Sequence, residues 1–146
     1  VLLSRQGLPV LDRDNYNSEE EMRKGGYIIK QCDGDPEIVI ISTGSEVWVA
    51  IEVSEILSEY RVRVINLACW ELFEEQTNDY IQNILGEKPK IAVEASISFG
   101  WEKWLSKNDI FIGMKSFGAS APANDLYKFF NITKEEIINK SKALLE

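Results

Sequence analysis

A tripeptide of small residues, Thr43-Gly44-Ser45, follows an apolar run and precedes a helical pattern. At a helix N-terminus, free backbone N–H groups and the helix dipole favour an anion. The segment is too short for a P-loop, it lacks a Gly-Lys-Ser/Thr sequence, and it is not a Gly-x-Gly-x-x-Gly turn. Two interpretations follow: a phosphate site, or an ordinary strand-to-helix turn whose hydroxyl groups cap the helix.

Four carboxylates and one arginine are the other groups that could act on a ligand. Glu46, Glu71, Glu94 and Glu102 lie near the predicted carboxyl ends of strands. The chain has no His, which excludes Ser-His-Asp and Cys-His nucleophiles and His-ligated metal sites within it. The sequence therefore does not single out any two of these four carboxylates as a general acid and a general base. Arg5 follows a buried-looking strand, and its guanidinium suits bidentate phosphate binding, although an ordinary surface arginine fits the same pattern.

The composition indicates one soluble domain. The 146 residues are 45% hydrophobic and carry a net charge of −8, which argues against nucleic-acid and anionic-membrane surfaces. No apolar run approaches the roughly 20 residues of a membrane span, and we identify no signal or transit peptide. Cys32 and Cys69 are too few for a disulfide scaffold or a zinc cluster, so buried reduced thiols in a cytoplasmic protein are expected.

The start of the chain predicts a piece of a longer protein. There is no initiator Met, and Val1-Leu2-Leu3-Ser4-Arg5 reads as the end of a buried strand entered midway. The polar segment 12–21 that follows is predicted to be a linker or crossing arm, with a partner-binding arm as the alternative.

The elements that must position these residues form a sheet covered by helices. Ile38 to Ile41 is an unbroken apolar run, typical of a strand buried on both faces. Val47 to Leu57 repeats apolar residues at helical spacing, and the strand from Val62 to Leu67 completes a βαβ unit. Further strands are predicted at Tyr27–Lys30, Lys90–Glu94 and Ile110–Ile112.

The connection at Asp33-Gly34-Asp35-Pro36 is too short for a parallel crossover, so the first strand should run antiparallel to the second. The sequence therefore predicts a three-layer α/β/α fold, with a five-stranded mixed sheet that is mostly parallel and has its first strand antiparallel.

Helix signals are clearest at Thr77 and Thr133, which are predicted N-caps; Glu136 would complete a capping box with Thr133. Trp101 and Trp104 share one face of a short predicted helix, and they belong either to the core or to a subunit interface. The segment from Ala68 to Phe73 is predicted to be a loop whose large side chains pack over the sheet edge.

A set of short motifs runs in order along the chain. The motifs are Leu3-Ser4-Arg5-Gln6, Lys24-Gly25-Gly26-Tyr27, Thr43-Gly44-Ser45-Glu46-Val47, Trp70-Glu71-Leu72-Phe73-Glu74-Glu75-Gln76, Ala92-Val93-Glu94-Ala95, Phe99-Gly100-Trp101-Glu102-Lys103, Gly113-Met114 and Phe117-Gly118-Ala119-Ser120-Ala121-Pro122. Each is weak alone, but together they cover essentially the whole chain, and the ordered set resembles the C-terminal part of transketolase.

This resemblance implies a parent enzyme that transfers a two-carbon ketol unit from a ketose phosphate to an aldose phosphate. It implies thiamine diphosphate, Mg²⁺ or Ca²⁺, and a homodimer, with the cofactor, metal and catalytic residues all on upstream domains. Residues 1–24 would then be the end of the preceding pyrimidine-type domain and a linker, and residues 25–146 the C-terminal domain. Arg5 would bind the sugar phosphate. The domain itself would be structural and inactive alone; a free-standing anion- or nucleotide-binding regulatory domain is the alternative.

Overall fold

The computed structural model describes residues 4, 6–12, 16 and 19–146. The strands are β1 (Gly26–Lys30), β2 (Ile38–Ser42), β3 (Val62–Leu67), β4 (Lys90–Val93) and β5 (Ile110–Ile112). The helices are α1 (Glu19–Met22), α2 (Glu46–Ile56), α3 (Trp70–Glu74), α4 (Asn78–Leu85), α5 (Ala123–Phe129) and α6 (Lys134–Leu145), with a 3₁₀ turn at Trp101–Lys103.

The five strands form one mixed sheet in the order β1-β3-β2-β4-β5. β1 pairs with β3 in antiparallel fashion, and the other pairs, β2 with β3, β2 with β4 and β4 with β5, are parallel. The predicted direction of β1 relative to β2 is thus confirmed, although β3 lies between them. The predicted fold class is confirmed as well.

The core has two halves, one on each face of the sheet. Alternate side chains of β2 enter different halves: Ile38 and Ile40 pack on the side of α2 and α6, and Val39 and Ile41 pack on the side of α3 and α4. All four are fully buried. Complete burial of one such side chain contributes about 1.5–3 kcal/mol, so β2 is the strand around which both layers are built.

The predicted face of α2 is confirmed, since Val47, Ala50, Ile51, Ser54 and Leu57 are all buried. The helix is held on its sheet face by these residues and by Val53, which is also buried and which the spacing alone did not single out.

The structure corrects the predicted loop before the tryptophan cluster, and it decides whether Trp101 and Trp104 lie in the core. The segment predicted to be a loop contains helix α3, whose Phe73 is fully buried against Leu67 on the sheet. The Trp70 ring stands edge-on to those of Trp101 and Trp104, at centroid distances of 5.3 and 6.3 Å. Trp101 and Trp104 are 1% and 7% exposed, so both belong to the core.

Gly25 is required where α1 turns into β1. Its φ of +79° is unfavourable for residues with a side chain, and an added Cβ would lie 2.3 Å from the Cys69 carbonyl oxygen. In addition, the Cys69 N–H donates a hydrogen bond to the Gly25 carbonyl oxygen at 2.9 Å, and this bond holds the two segments together.

The predicted burial of the two thiols is wrong. Cys32 and Cys69 are free, but each is partly exposed. Cys32 follows the edge strand β1 and Cys69 follows the interior strand β3, each where the chain leaves the sheet. The Cys69 thiol donates to Glu71 Oε2 at 3.4 Å.

Candidate functional site

The turn after β2 delivers a carboxylate to the start of α2. Gly44 adopts a φ of +57°, with open space where a Cβ would be. Ser45 has helical backbone angles and makes no capping bond. Its hydroxyl donates instead to Glu46 Oε1 at 2.7 Å, so the predicted capping role of this turn is wrong. The physical reason lies in the backbone of Ser45: a capping residue has extended angles, whereas Ser45 is helical, with φ −68° and ψ −25°, so its oxygen is not placed to accept from the first N–H groups of the helix.

Glu46 is the central polar group of this edge of the sheet. It is 3% exposed. Its Oε1 accepts hydrogen bonds from the hydroxyls of Ser45 and Tyr127, at 2.7 and 2.5 Å, and its Oε2 accepts from the Ala95 N–H at 3.1 Å. A buried carboxylate is tolerated only when it is well bonded. These donors, from three separate segments, meet that requirement.

The position of Glu46 weakens the phosphate interpretation of Thr43-Gly44-Ser45. A negative charge at a helix N-terminus is favourable, and Glu46 already supplies it there. A phosphate bound at the same turn would meet the repulsion of this carboxylate.

Tyr127 joins the N-terminal arm to Glu46. Its hydroxyl donates to Glu46 Oε1 at 2.5 Å and accepts from Gln6 Nε2 at 3.2 Å. Burial, followed by the bond to Glu46, raises the pKa of Tyr127, so the phenol stays protonated and remains a donor. The arrangement is a chain of hydrogen bonds from Gln6 through Tyr127 to Glu46.

Glu94 is the second carboxylate at this edge. Trp101 Nε1 donates to its Oε2 at 2.7 Å. Burial raises the pKa of Glu94; the bond from Trp101 works in the opposite direction, and the charge of Glu46 raises the pKa further. Of the four predicted carboxylates, the structure therefore brings Glu46 and Glu94 into electrostatic contact.

The other two carboxylates lie on the exposed side of the same region. Glu71 accepts from its own backbone N–H and from the Cys69 thiol, and these bonds lower its pKa. Glu102 Oε2 accepts from the Gly100 N–H at 2.9 Å. Each of these two carboxylates is bonded within its own short turn, and the structure does not bring either of them to Glu46.

The predicted substrate-binding residue, Arg5, lies outside the described residues. Its neighbours Ser4 and Gln6 are described, and both line a cavity of about 290 Å³ beside Ser45 and Tyr127. Gln6 and Tyr127 were not singled out from the sequence. The two residues are 121 positions apart, and no local pattern relates them.

An exposed apolar surface lies on the neighbouring loops. Ile97 and Phe99 follow β4, and Phe117 follows β5; their exposed fractions are 54%, 83% and 98%. Ile97 and Phe117 line one depression, and the loops are joined by the Met114 N–H, which donates to the Ser96 oxygen at 2.8 Å. We call Ile97, Phe99 and Phe117 the apolar loop surface.

The described residues do not fit a metal-diphosphate group. Among residues 4, 6–12, 16 and 19–146, no group of three or more His, Cys, Asp or Glu side chains is placed to hold a metal ion. Mg²⁺ and Ca²⁺ bind through several oxygen ligands, and the oxygens of Glu46 are already occupied by donors of the chain. In the same described residues, no helix has the length and apolarity needed to cross a membrane.

Comparison with known proteins gives a consistent result. The family model described as "Transketolase-like TK C-terminal domain" matches residues 25–133. A transketolase of Sinorhizobium medicae is 40% identical over 148 residues, which cover 99% of this chain and 21% of the relative. The chain thus spans about one-fifth of the length of this relative.

Solved structures agree in fold. Transketolase from Leishmania mexicana superposes with a TM-score of 0.81 at 43% identity, covering 88% of this chain and 19% of that one. Transketolase from Pichia stipitis in complex with sedoheptulose-7-phosphate superposes with a TM-score of 0.84 at 30% identity, covering 97% of this chain and 20% of that one. Because the family model covers most of the chain and the fold agrees with it, the chain belongs to the transketolase family, as its C-terminal domain.

Proposed function

We propose that this chain is the C-terminal domain of a full-length transketolase, which transfers a two-carbon ketol unit from a ketose phosphate to an aldose phosphate in the pentose phosphate pathway. The observation that carries the proposal is the family match over residues 25–133 in a chain one-fifth as long as its relatives. The full-length enzyme would be a cytoplasmic homodimer that uses thiamine diphosphate with Mg²⁺ or Ca²⁺.

In this proposal the cofactor, metal and catalytic residues belong to domains upstream of residue 25. The absence of His from the chain is in keeping with that assignment. So is the use of Glu46, the most buried carboxylate of the edge, as an acceptor for hydrogen bonds within the chain.

The domain is proposed to be structural, packing on the preceding domain and supporting the dimer. Contiguous exposed apolar side chains mark interaction sites. The apolar loop surface lies at the edge where the arm reaches the domain, since Ser4 and Gln6 line a cavity together with Gly118, the residue after Phe117. A domain attached through this arm is therefore well placed to cover these side chains.

Arg5 is proposed to bind the phosphate group of the sugar substrate from the segment that precedes the domain. Guanidinium and phosphate form paired hydrogen bonds, and such a bond to a charged group contributes about 1.5–3 kcal/mol.

The proposal is tested by assaying ketol transfer with the 146-residue chain and with the full-length protein, each supplied with thiamine diphosphate, Mg²⁺ and sugar phosphates. We expect transfer from the full-length protein and none from the chain. Turnover by the chain alone would show that it contains catalytic residues, and an inactive full-length protein would contradict the proposed reaction.

A further inference from the structure

We propose that the cavity of about 290 Å³ beside Ser45 and Tyr127 is a binding site for a small organic cation, an ammonium group carried on an apolar body. This site is separate from the proposed binding of sugar phosphates. A sugar phosphate is polar and anionic, whereas the cavity is lined mainly by apolar residues and lies beside the buried carboxylate of Glu46.

The cavity lies where open α/β sheets commonly bind ligands. The chain passes from β2 to β3 on one side of β2 and then to β4 on the other side, so the strand order reverses between β2 and β4. The crevice at the carboxyl ends of the strands beside such a reversal is the usual ligand site of these sheets. Ser45 follows β2 and Ala95 follows β4, and both line the cavity.

Most of the cavity wall suits an apolar body. The larger apolar side chains of the wall are those of Met114, Leu126, Phe130 and Ile132. None of the described lining residues is charged. Small-molecule sites typically combine such a wall with a few polar groups that fix the orientation of the ligand.

The polar end of the cavity presents hydrogen-bond acceptors. The hydroxyls of Ser45 and Tyr127 both donate to Glu46 Oε1, so their oxygens keep lone pairs for a donor. Burial, followed by the bond to Glu46, raises the pKa of Tyr127 and keeps its proton in this bond. The chain itself supplies one matching donor, since Gln6 Nε2 lies 3.2 Å from the Tyr127 oxygen. A ligand at this end therefore needs N–H or O–H groups.

The charge behind these acceptors is negative and lacks a positive partner in the described part of the chain. Glu46 is 3% exposed, and the residues that bond it, Ser45, Tyr127 and Ala95, all line the cavity. In residues 4, 6–12, 16 and 19–146, no lysine or arginine forms an ion pair with Glu46. Buried carboxylates are normally paired.

An ammonium group would supply the missing positive charge. Bonded to the oxygens of Ser45 and Tyr127, it would lie about 5 Å from the Glu46 carboxylate, because one hydroxyl oxygen separates them. At that distance a cation is attracted and an anion is repelled. The site should therefore select its ligand by charge.

Three probes of nearly the same shape test this selection in the full-length protein. Phenethylamine is a cation at neutral pH, 2-phenylethanol is neutral and phenylacetate is an anion. NMR of the methionine methyl groups follows their binding, because Met114 lines the cavity. Met22 is 54% exposed outside the cavity and serves as an internal control. The two resonances are assigned by their loss in Met114→Leu and Met22→Leu.

We expect phenethylamine to shift the Met114 resonance saturably and to leave the Met22 resonance in place. It should bind about tenfold more tightly than phenylacetate, with 2-phenylethanol between them. No shift of Met114 at about 10 mM phenethylamine, equal binding of cation and anion, or equal shifts of Met22 and Met114 would each overturn the site.

Glu46→Gln tests the source of the selection, since it keeps an acceptor oxygen and removes the charge. The tenfold preference for the cation over the anion should disappear, while binding of 2-phenylethanol should change less than about twofold. Glu71→Gln is the matched control, because it removes a carboxylate from the exposed side of the same region. It should leave the preference intact; equal effects of the two variants would overturn the role of Glu46.

Gly118→Leu tests the location without altering Glu46. Gly118 is an exposed residue of the cavity wall, and an added Cβ would lie 3.7 Å from the Met114 Cε atom, an ordinary contact. The larger side chain should narrow the cavity and weaken phenethylamine binding at least about fivefold. Unchanged binding in this variant would place the probe elsewhere and overturn the site. None of these measurements depends on ketol transfer, so the cation site and the proposed function fail separately.

Discussion

Glu46 and Glu94 lie at the same edge of the sheet but meet different surroundings. Glu46 receives hydrogen bonds from two hydroxyls and one backbone N–H. Glu94 is partly buried beside it and receives the indole N–H of Trp101. Burial and the charge of Glu46 raise the pKa of Glu94. Ionisation of Glu94 therefore opposes folding.

The raised pKa of Glu94 predicts a pH-dependent gain for Glu94→Gln. The folded protein holds this proton more tightly than the unfolded one, so the associated stabilisation is present below the unfolded pKa and is lost as the pH rises through the folded pKa. Glutamine keeps an oxygen for Trp101 and carries no charge. Relative to wild type, the variant should gain stability as the pH rises above the unfolded pKa of about 4, as measured by urea unfolding at each pH.

Glu71→Gln is the control with the opposite sign. Hydrogen bonds to its charged form lower the pKa of Glu71, so wild-type stability from this group appears above the unfolded pKa and is lost as the pH falls through the folded one. Glu71→Gln should therefore lose stability toward neutral pH. A pH-independent difference for Glu94→Gln would show that the carboxylate is not destabilised by its surroundings.

At the scale of elements, the starts of the helices differ in how they are secured. The hydroxyls of Thr77 and Thr133 accept from the N–H of the residue three positions on, each at 3.2 Å. Both threonines confirm the predicted N-caps, but the bond from the Thr133 N–H to the Glu136 carboxylate that would complete the predicted capping box is not formed among the described residues. Glu136 supplies its N–H to Thr133, and its carboxylate lies 3.8 Å from Lys140 Nζ. At the start of α2, by contrast, the Ser45 hydroxyl donates to the Glu46 carboxylate and makes no capping bond.

Thr133→Ala should destabilise the chain by about 1 kcal/mol, because it removes a capping bond at the start of α6. The flanking residues Ile132 and Ile137 are buried, so fraying of this helix end would also loosen the core. Thr43→Ala is the matched control, since no side-chain hydrogen bond is formed by Thr43 in the described structure. It should change the free energy of unfolding by less than about 0.5 kcal/mol; equal losses in the two variants would exclude capping as the cause.

Elements whose signals are local were predictable, and contacts between distant segments were not. The apolar run of β2, the capping threonines and the short turn before β2 each carry their cause within a few residues. Helix α3 has only five residues, too few to show a helical period. The contact of Tyr127 with Glu46 joins residues 81 positions apart and depends on the register of the completed sheet.

At the scale of the whole molecule, apolar side chains are distributed unevenly between core and surface. The chain covers every side chain of β2, yet Phe117 is 98% exposed and Phe99 is 83% exposed. Both belong to loops at the carboxyl edge of the sheet, where the arm also lies. This distribution favours a domain built to be covered on one edge by other parts of a longer protein.

Phe117→Ala should therefore have different effects in the chain and in the full-length protein. In the 146-residue chain its side chain is exposed, so the free energy of unfolding should change by less than about 0.5 kcal/mol. In the full-length protein, covering a phenylalanine contributes about 1.5–3 kcal/mol, so the variant should lower the Tm.

The control is Phe73→Ala, because Phe73 is fully buried within the chain. It should cost about 3–5 kcal/mol in both contexts. Thermal and urea unfolding of the two variants in both proteins provide the measurement. If Phe117→Ala leaves the full-length protein as stable as the wild type, the apolar loop surface is not where the domain docks. A large loss in the chain alone would instead place Phe117 in the core of the domain, contrary to its exposure here.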